Sequence, residues 1–157
     1  MSEPAGDHEP ITRRVYEYAY GIDTRDWALY RSIFADEITA DFSSYNGREA
    51  ATMPADEWVA GLTPLFTGLD ATQHSLSNPL VDVTGPTARC RMYMQAAHFL
   101  HDWPEPEFTI GGYYDDELVR SPDGWEITAV TLHVWWRRGD PALMTEASRR
   151  GMAKLQS

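Results

Sequence analysis

One cysteine, Cys90, stands in a chain of 157 residues. It has no partner for an internal disulfide, and no CxxC metal site can be built from it. Basic charge is scarce as well: 13 Lys and Arg stand against 24 Asp and Glu, for a formal charge of −11. A phosphate backbone is met by clustered cations, so no nucleic-acid partner is expected, and no docking onto an anionic membrane. No apolar run approaches the roughly 20 residues that span a bilayer. The opening "MSEPAGDHEP" is acidic and carries proline, without the basic-then-apolar order of a secretory signal. The expected setting is soluble and cytoplasmic. GxSxG, a P-loop and GxGxxG before a helix are missing too. So are the short ligand spacings HxH and HExxH, and metal binding is not expected.

What is present suits one core. Hydrophobic residues make up 43% and aromatics 12%, a globular balance, and the length fits one domain. Residues 1–9 read as a flexible tail, 10–140 as the domain, and 141–157 as a C-terminal tail with a weak helical pattern. Pro10 stands where a helix can start. Ile11, Val15, Tyr18, Ala19 and Ile22 follow at helical spacing. Gly21 and "DTRD" interrupt that helix, and Asp23 or Thr24 can cap a second one carrying Trp27, Tyr30, Ile33 and Phe34. "EITADFSSYNG" alternates Ile38, Ala40 and Phe42 against polar residues, as a strand ending in an Asn-Gly turn. Pro54 opens a further helix with Trp58, Val59 and Leu62 on its apolar side; Pro64 kinks or ends it.

After residue 70 the pattern turns to strands. The cleanest alternation runs from 89 to 98. Arg89, Arg91, Tyr93 and Gln95 point one way, and Cys90, Met92, Met94, Ala96 and His98 the other. Helices followed by long antiparallel strands give an α+β domain. A strongly bent sheet over the helices makes a cone with an apolar mouth, a common form of small-molecule site.

Five histidines carry the chemistry to be weighed. His8 falls in the tail and His101 in the polar loop "HDWPEPE". His133 has aromatic neighbours and reads as packing. His74 and His98 remain, on strands expected to be neighbours, with His98 on the apolar side. A strand histidine is ordinarily a buried residue with a backbone partner. Against that stands Asp23 at the helix break, within reach of the same cavity. A carboxylate beside a histidine fixes its tautomer and raises its basicity. Asp115 shares one side of its strand with Tyr113. Cys90, among Met92 and Met94, reads as core.

"YGIDTRDWALYRSIFADEITADFSSY", "MPADEWV", "TQH" and the strand ending in "AAH" resemble the scytalone dehydratase branch of the NTF2-like, SnoaL-like superfamily. The resemblance covers residues 11 to 140. It implies an NTF2-like cone: N-terminal helices packed in a strongly curved mixed β-sheet that encloses a pocket. It implies chemistry without a cofactor on a small, apolar, cyclic substrate. Asp23 matches a pocket aspartate that pairs with a histidine; His98 is that partner, and His74 the acid–base group. Tyr113 and Asp115 fall where substrate hydroxyls are met. One departure is clear: two carbonyl-polarising tyrosines of the dehydratase fall here at Ile22 and Phe42. Tyr18, Tyr45 and Tyr113 are the candidates to replace them. Ile22, Phe42, Trp58, Phe66 and Met94 suit a polyketide-like or steroid-like ring.

The expected activity is that of a dehydratase or isomerase working by His/Asp general acid–base catalysis on a cyclic hydroxy-ketone. A polyketide cyclase and an epoxide hydrolase are the enzymatic alternatives. The latter needs an Asp–Arg–Asp set, for which Arg91 faces the wrong way and Arg137 has no assigned face. A binding or structural module, like the β-subunit of ring dioxygenases, is the alternative of another class. A closed cavity lined by Asp23, His74 and His98 favours the enzyme, and a filled interior the structural role. In the structural reading Trp135–Trp136 forms an oligomer interface; a homo-oligomer, dimer or trimer, is expected in either case.

Overall fold

A computed structural model describes residues 6–157. Helix α1 (His8–Thr24) buries Ile11, Val15, Tyr18 and Ile22 along one face. It starts two residues before Pro10, and Asp7 ahead of it pairs with both terminal nitrogens of Arg120 at 3.0 and 2.8 Å. Residues 7–9 therefore belong to the folded body, while residues 1–5 of the expected tail lie outside the described residues.

Gly21 does not break α1. A Cβ there would stand 3.0 Å from Cβ of Tyr30, so this glycine lets the next helix close in. That helix, α2 (Trp27–Ser32), is capped by neither Asp23 nor Thr24. Asp26 caps it, its carboxylate accepting from the Leu29 N–H at 3.0 Å. Phe34 is not on this helix; it opens β1 (Phe34–Asp41). The strand ends before Phe42, and the Asn-Gly pair closes a four-residue helix, α3 (Ser43–Asn46), with Gly47 at φ 73°. A short strand that the sequence did not suggest follows, β2 (Ala51–Pro54). Helix α4 (Ala55–Gly68) contains Pro64 without ending there.

Four long strands complete the sheet: β3 (Ala71–Thr84), β4 (Thr87–Phe99), β5 (Glu107–Ser121) and β6 (Gly124–Arg138). The order is β2-β1-β6-β5-β4-β3, and only the β1–β6 pair is parallel. The sheet is mixed, curved and open at its edges, as the α+β cone required. Register shifts in β3 and β5 mark its bends. At the Gly111/Gly112 shift a Cβ on Gly112 would meet the His133 carbonyl oxygen at 1.8 Å, so only glycine fits.

The concave face carries the core. Cys90, Met92, Met94, Ala96 and His98 of β4 are buried, and Phe108, Ile110, Tyr114, Asp116 and Leu118 of β5 join them. Each large apolar side chain so buried contributes about 1.5–3 kcal/mol. The C-terminal segment is a full helix, α5 (Ala142–Leu155), and is part of the domain rather than a tail. Leu143 and Ala147 are wholly buried. Gly68 and Gly151 let α4 and α5 touch: a Cβ on either would lie under 2 Å from a carbonyl oxygen of the other helix. The helical pattern was weak because this face is built from small residues.

Candidate active site

The wide end of the cone holds an apolar cavity of about 330 Å³. Tyr18, Ile22, Phe42, Tyr45, Trp58, Phe66 and Met94 line it, together with His74 and His98. Trp58, Leu62 and Leu65 are only half-buried because α4 turns them toward this space instead of into packed core.

Strands β3 and β4 put the two histidines on one face. Thr72 pairs with His98 and His74 with Ala96 across the ladder, so the rings are diagonal neighbours with centroids 5.9 Å apart. Asp23, on the last turn of α1, reaches His74. Its Oδ1 accepts from His74 Nδ1 at 2.8 Å and its Oδ2 from the His74 backbone N–H at 2.7 Å. The His74 side chain is 4% exposed. A carboxylate only accepts, so Nδ1 carries a proton and Nε2 is the nitrogen left for the cavity.

The expected pairing of Asp23 with His98 does not form. His98 Nδ1 instead donates to the Phe108 carbonyl of the adjacent strand at 3.0 Å. The sequence could not separate the two histidines, because the choice depends on which strand passes the end of α1. With Nδ1 spent, His98 also has Nε2 free as an acceptor. Burial, helped by the nearby His74, pushes the imidazole down to about 4, so it is neutral at physiological pH.

Burial would raise the Asp23 carboxyl. The hydrogen bonds from His74 and Thr72 and the charge of His74 outweigh that and hold it below its ordinary value. Phe66 closes the dyad from α4, its ring centroid 6.1 Å from His74 and 6.3 Å from His98.

Opposite stand phenols. Tyr18 lines the cavity with Tyr114, and its ring packs against Tyr30 and Tyr114 at 5.1 and 5.2 Å. Trp58 Nε1 donates to the Tyr30 hydroxyl at 3.0 Å. Burial raises the Tyr18 and Tyr114 phenols well above the usual value, so both remain O–H donors. Asp116 is buried behind them, and desolvation raises its carboxyl strongly too.

Tyr113 and Asp115 are not in the cavity. Both lie on the convex face, where Tyr113 stacks on His133 at 4.4 Å and Asp115 pairs with Arg89. Their in-chain neighbours Tyr114 and Asp116 point inward. Phe108, Ile110 and Leu118 share that phase and were the signal for it. Arg91 is also outside, bonded to Asp82. Arg137 sits near the mouth, donating to the carbonyls of Ser44 and Tyr45 and lying over the Tyr45 ring. Among the described residues no cluster of three or more metal-ligating side chains gathers, and no helix is long and apolar enough to cross a membrane.

His74 and His98 line the cavity, while Asp23 does not and reaches it only through His74. A curved mixed sheet folded over helices around such a cavity defines a protein of the NTF2-like kind. The chain belongs to the SnoaL-like domain family, whose sequence profile matches residues 3–131. It is 29% identical over 125 residues to uncharacterized protein Rv2910c of Mycobacterium tuberculosis, spanning 77% of this chain and 80% of that one. It is 23% identical over 154 residues to scytalone dehydratase of Colletotrichum orbiculare, spanning 89% and 82%. The crystal structure of Kfla4162 from Kribbella flavida superposes with a TM-score of 0.82 at 27% identity, covering 90% of this chain and 97% of that one. The family thus includes dehydratases of small molecules.

Proposed function

We propose that the protein is a cofactor-independent dehydratase or isomerase of a neutral, largely apolar cyclic hydroxy-ketone, polyketide-like or steroid-like. The observation that carries this reading is His74 in the wall of an apolar cavity, bonded through Nδ1 to Asp23. Such a pair is a proton carrier with a fixed tautomer. In the proposed step, His74 Nε2 takes the proton from the carbon next to the substrate carbonyl. Electrons move into an enolate, and the Tyr18 O–H donates to its oxygen, with Tyr114 beside it. His74 then returns the proton to the departing hydroxyl, which leaves as water. In an isomerisation the proton goes back to a different carbon instead. Asp23 stabilises the imidazolium between the two transfers. His98, uncharged, accepts a hydrogen bond from the substrate hydroxyl.

Among Tyr18, Tyr45 and Tyr113, the role falls to Tyr18. Tyr113 is on the wrong face, and Tyr45 stacks under Arg137 at the mouth. A positioned acid–base group supplies about 10²–10⁴-fold, and donors aimed at the developing oxyanion add a comparable factor. An epoxide hydrolase would need two aspartates around a water-holding arginine; Arg48 lines the cavity, but no aspartate does. The test is a panel of cyclic hydroxy-ketones, scored for loss of water by mass spectrometry and for enone absorbance. Turnover by the wild type that disappears in His74→Gln and in Asp23→Asn supports the reading. Equal turnover in His74→Gln overturns it.

A further inference from the structure

Arg25 follows α1 in a left-handed conformation, φ 59° and ψ 27°. Glycine takes that backbone position without strain, and a residue with a Cβ does not. The arginine side chain turns back beneath the helix end. Nε donates to the Phe66 carbonyl of α4 at 2.7 Å. Nη1 donates to the Ile22 carbonyl at 2.8 Å and to Thr72 Oγ1 at 2.9 Å. The guanidinium also lies over the Phe66 ring. Thr72 is buried and passes its own proton to Asp23 Oδ1 at 2.9 Å.

Every direction in this chain is fixed by chemistry. A guanidinium only donates, a carboxylate only accepts, and a hydroxyl has one proton. The order is Arg25 to Thr72 to Asp23, with His74 donating from the other side. Of the three hydrogen bonds the Asp23 carboxylate accepts, the one from Thr72 alone does not come from His74.

We propose that Arg25 and Thr72 are positioning residues for the acid–base pair, a charge-assisted relay that keeps Asp23 ionised and fixed in rotation against His74. The inference rests on reading His74 as the proton carrier, and it explains how the imidazolium keeps its proton. In a half-buried site the proton could collapse onto the aspartate. A donor that stays in place throughout the cycle opposes that collapse, and the positive charge behind Thr72 strengthens it. The groups facing Asp23 are His74 from β3, Arg25 from its own helix end, His98 from β4 and Tyr114 from β5. Helix α4 adds the Phe66 ring and no titratable group at this spot.

Thr72→Val removes the hydroxyl and keeps the shape; Thr72→Ser keeps the hydroxyl; Arg25→Gln removes the charge. The Asp23 carboxyl carbon is followed by ¹³C NMR through an acid titration, and the His74 Nδ1–H proton resonance is read at neutral pH. Thr72→Val and Arg25→Gln are expected to raise the Asp23 midpoint by about 0.5–1 pH unit, as loss of a donor or of a positive neighbour does. Thr72→Ser is expected to titrate like the wild type. The Nδ1–H resonance should move in Thr72→Val and stay in Thr72→Ser. Matching titrations and matching resonances in the valine and serine variants overturn the relay, whether or not Arg25→Gln folds. These readouts need no substrate, so the relay and the catalytic reading can fail separately.

Discussion

The two faces of the sheet carry nearly the same side chains and put them to different uses. On the concave face are His74, His98, Tyr114 and Asp116, with Asp23 brought against them by α1; on the convex face are Asp115, His133 and Tyr113. Inside, a carboxylate meets a histidine, a second histidine is neutral, and phenols hold their protons. Outside, Asp115 meets the half-exposed Arg89, and His133 stacks on Tyr113 beside the Asp41 and Asp115 carboxylates. Residue type therefore does not make the site. Desolvation does, because it turns ordinary groups into shifted ones and strengthens each hydrogen bond between them.

The largest expected difference between the faces is in turnover. His74→Gln should cost about 10²–10⁴-fold in kcat/KM, while His133→Gln should leave it within about twofold. Comparable losses in the two variants would break the comparison.

The next effect is on acid stability. His98 has its pKa lowered to about 4 in the fold, against an ordinary 6.5. Between those values the unfolded chain binds a proton that the native state refuses, so stability falls as pH falls from 6.5 to 4. The gap corresponds to roughly 3 kcal/mol. Urea unfolding of His98→Asn should lose less stability over that window than the wild type does, and His133→Asn should track the wild type.

Asp116 acts with the opposite sign. Its carboxyl is raised, so its stabilising contribution is present below the ordinary carboxylate value and is lost as pH rises above it. Asp116→Asn should flatten that decline above the ordinary carboxylate range. Asp115→Asn should change stability by about 1 kcal/mol or less, since it only unpairs an exposed arginine.

The smallest expected change in fold stability comes from the convex aromatics. Trp135 is 62% exposed and packs beside Tyr93 and Tyr113. As a patch for a second copy, this face would make Trp135→Ser alter sedimentation, with stability shifting by about 0.5 kcal/mol or less. Unchanged sedimentation would remove the convex face from any self-association.

Much of the fold was legible because burial imprints period. The alternation from Arg89 to His98 assigned the two sides of β4, and the spacing of Ile11, Val15, Tyr18 and Ile22 assigned the face of α1. The family likeness rested on short motifs in order, and the SnoaL-like match agrees with it. Where period was weak, expectation failed. The buried face of α5 is Leu143, Ala147 and Gly151, with one large residue to show a period. The family likeness assigns Tyr113 and Asp115 to the substrate, against the phase of Phe108, Ile110 and Leu118. Arg25 and Thr72 had no sequence signal, because their link spans 47 residues.

The sequence by itself determined the helix-then-strand order, the acidic charge balance, the apolar side of β4 and the presence of His98 on it. Those follow from local spacing and composition. Only the tertiary structure decided that Asp23 takes His74 and not His98, and that Arg25 stands behind the pair. These are contacts between elements far apart in the chain, fixed by how the sheet bends over α1, and no local pattern encodes that bend.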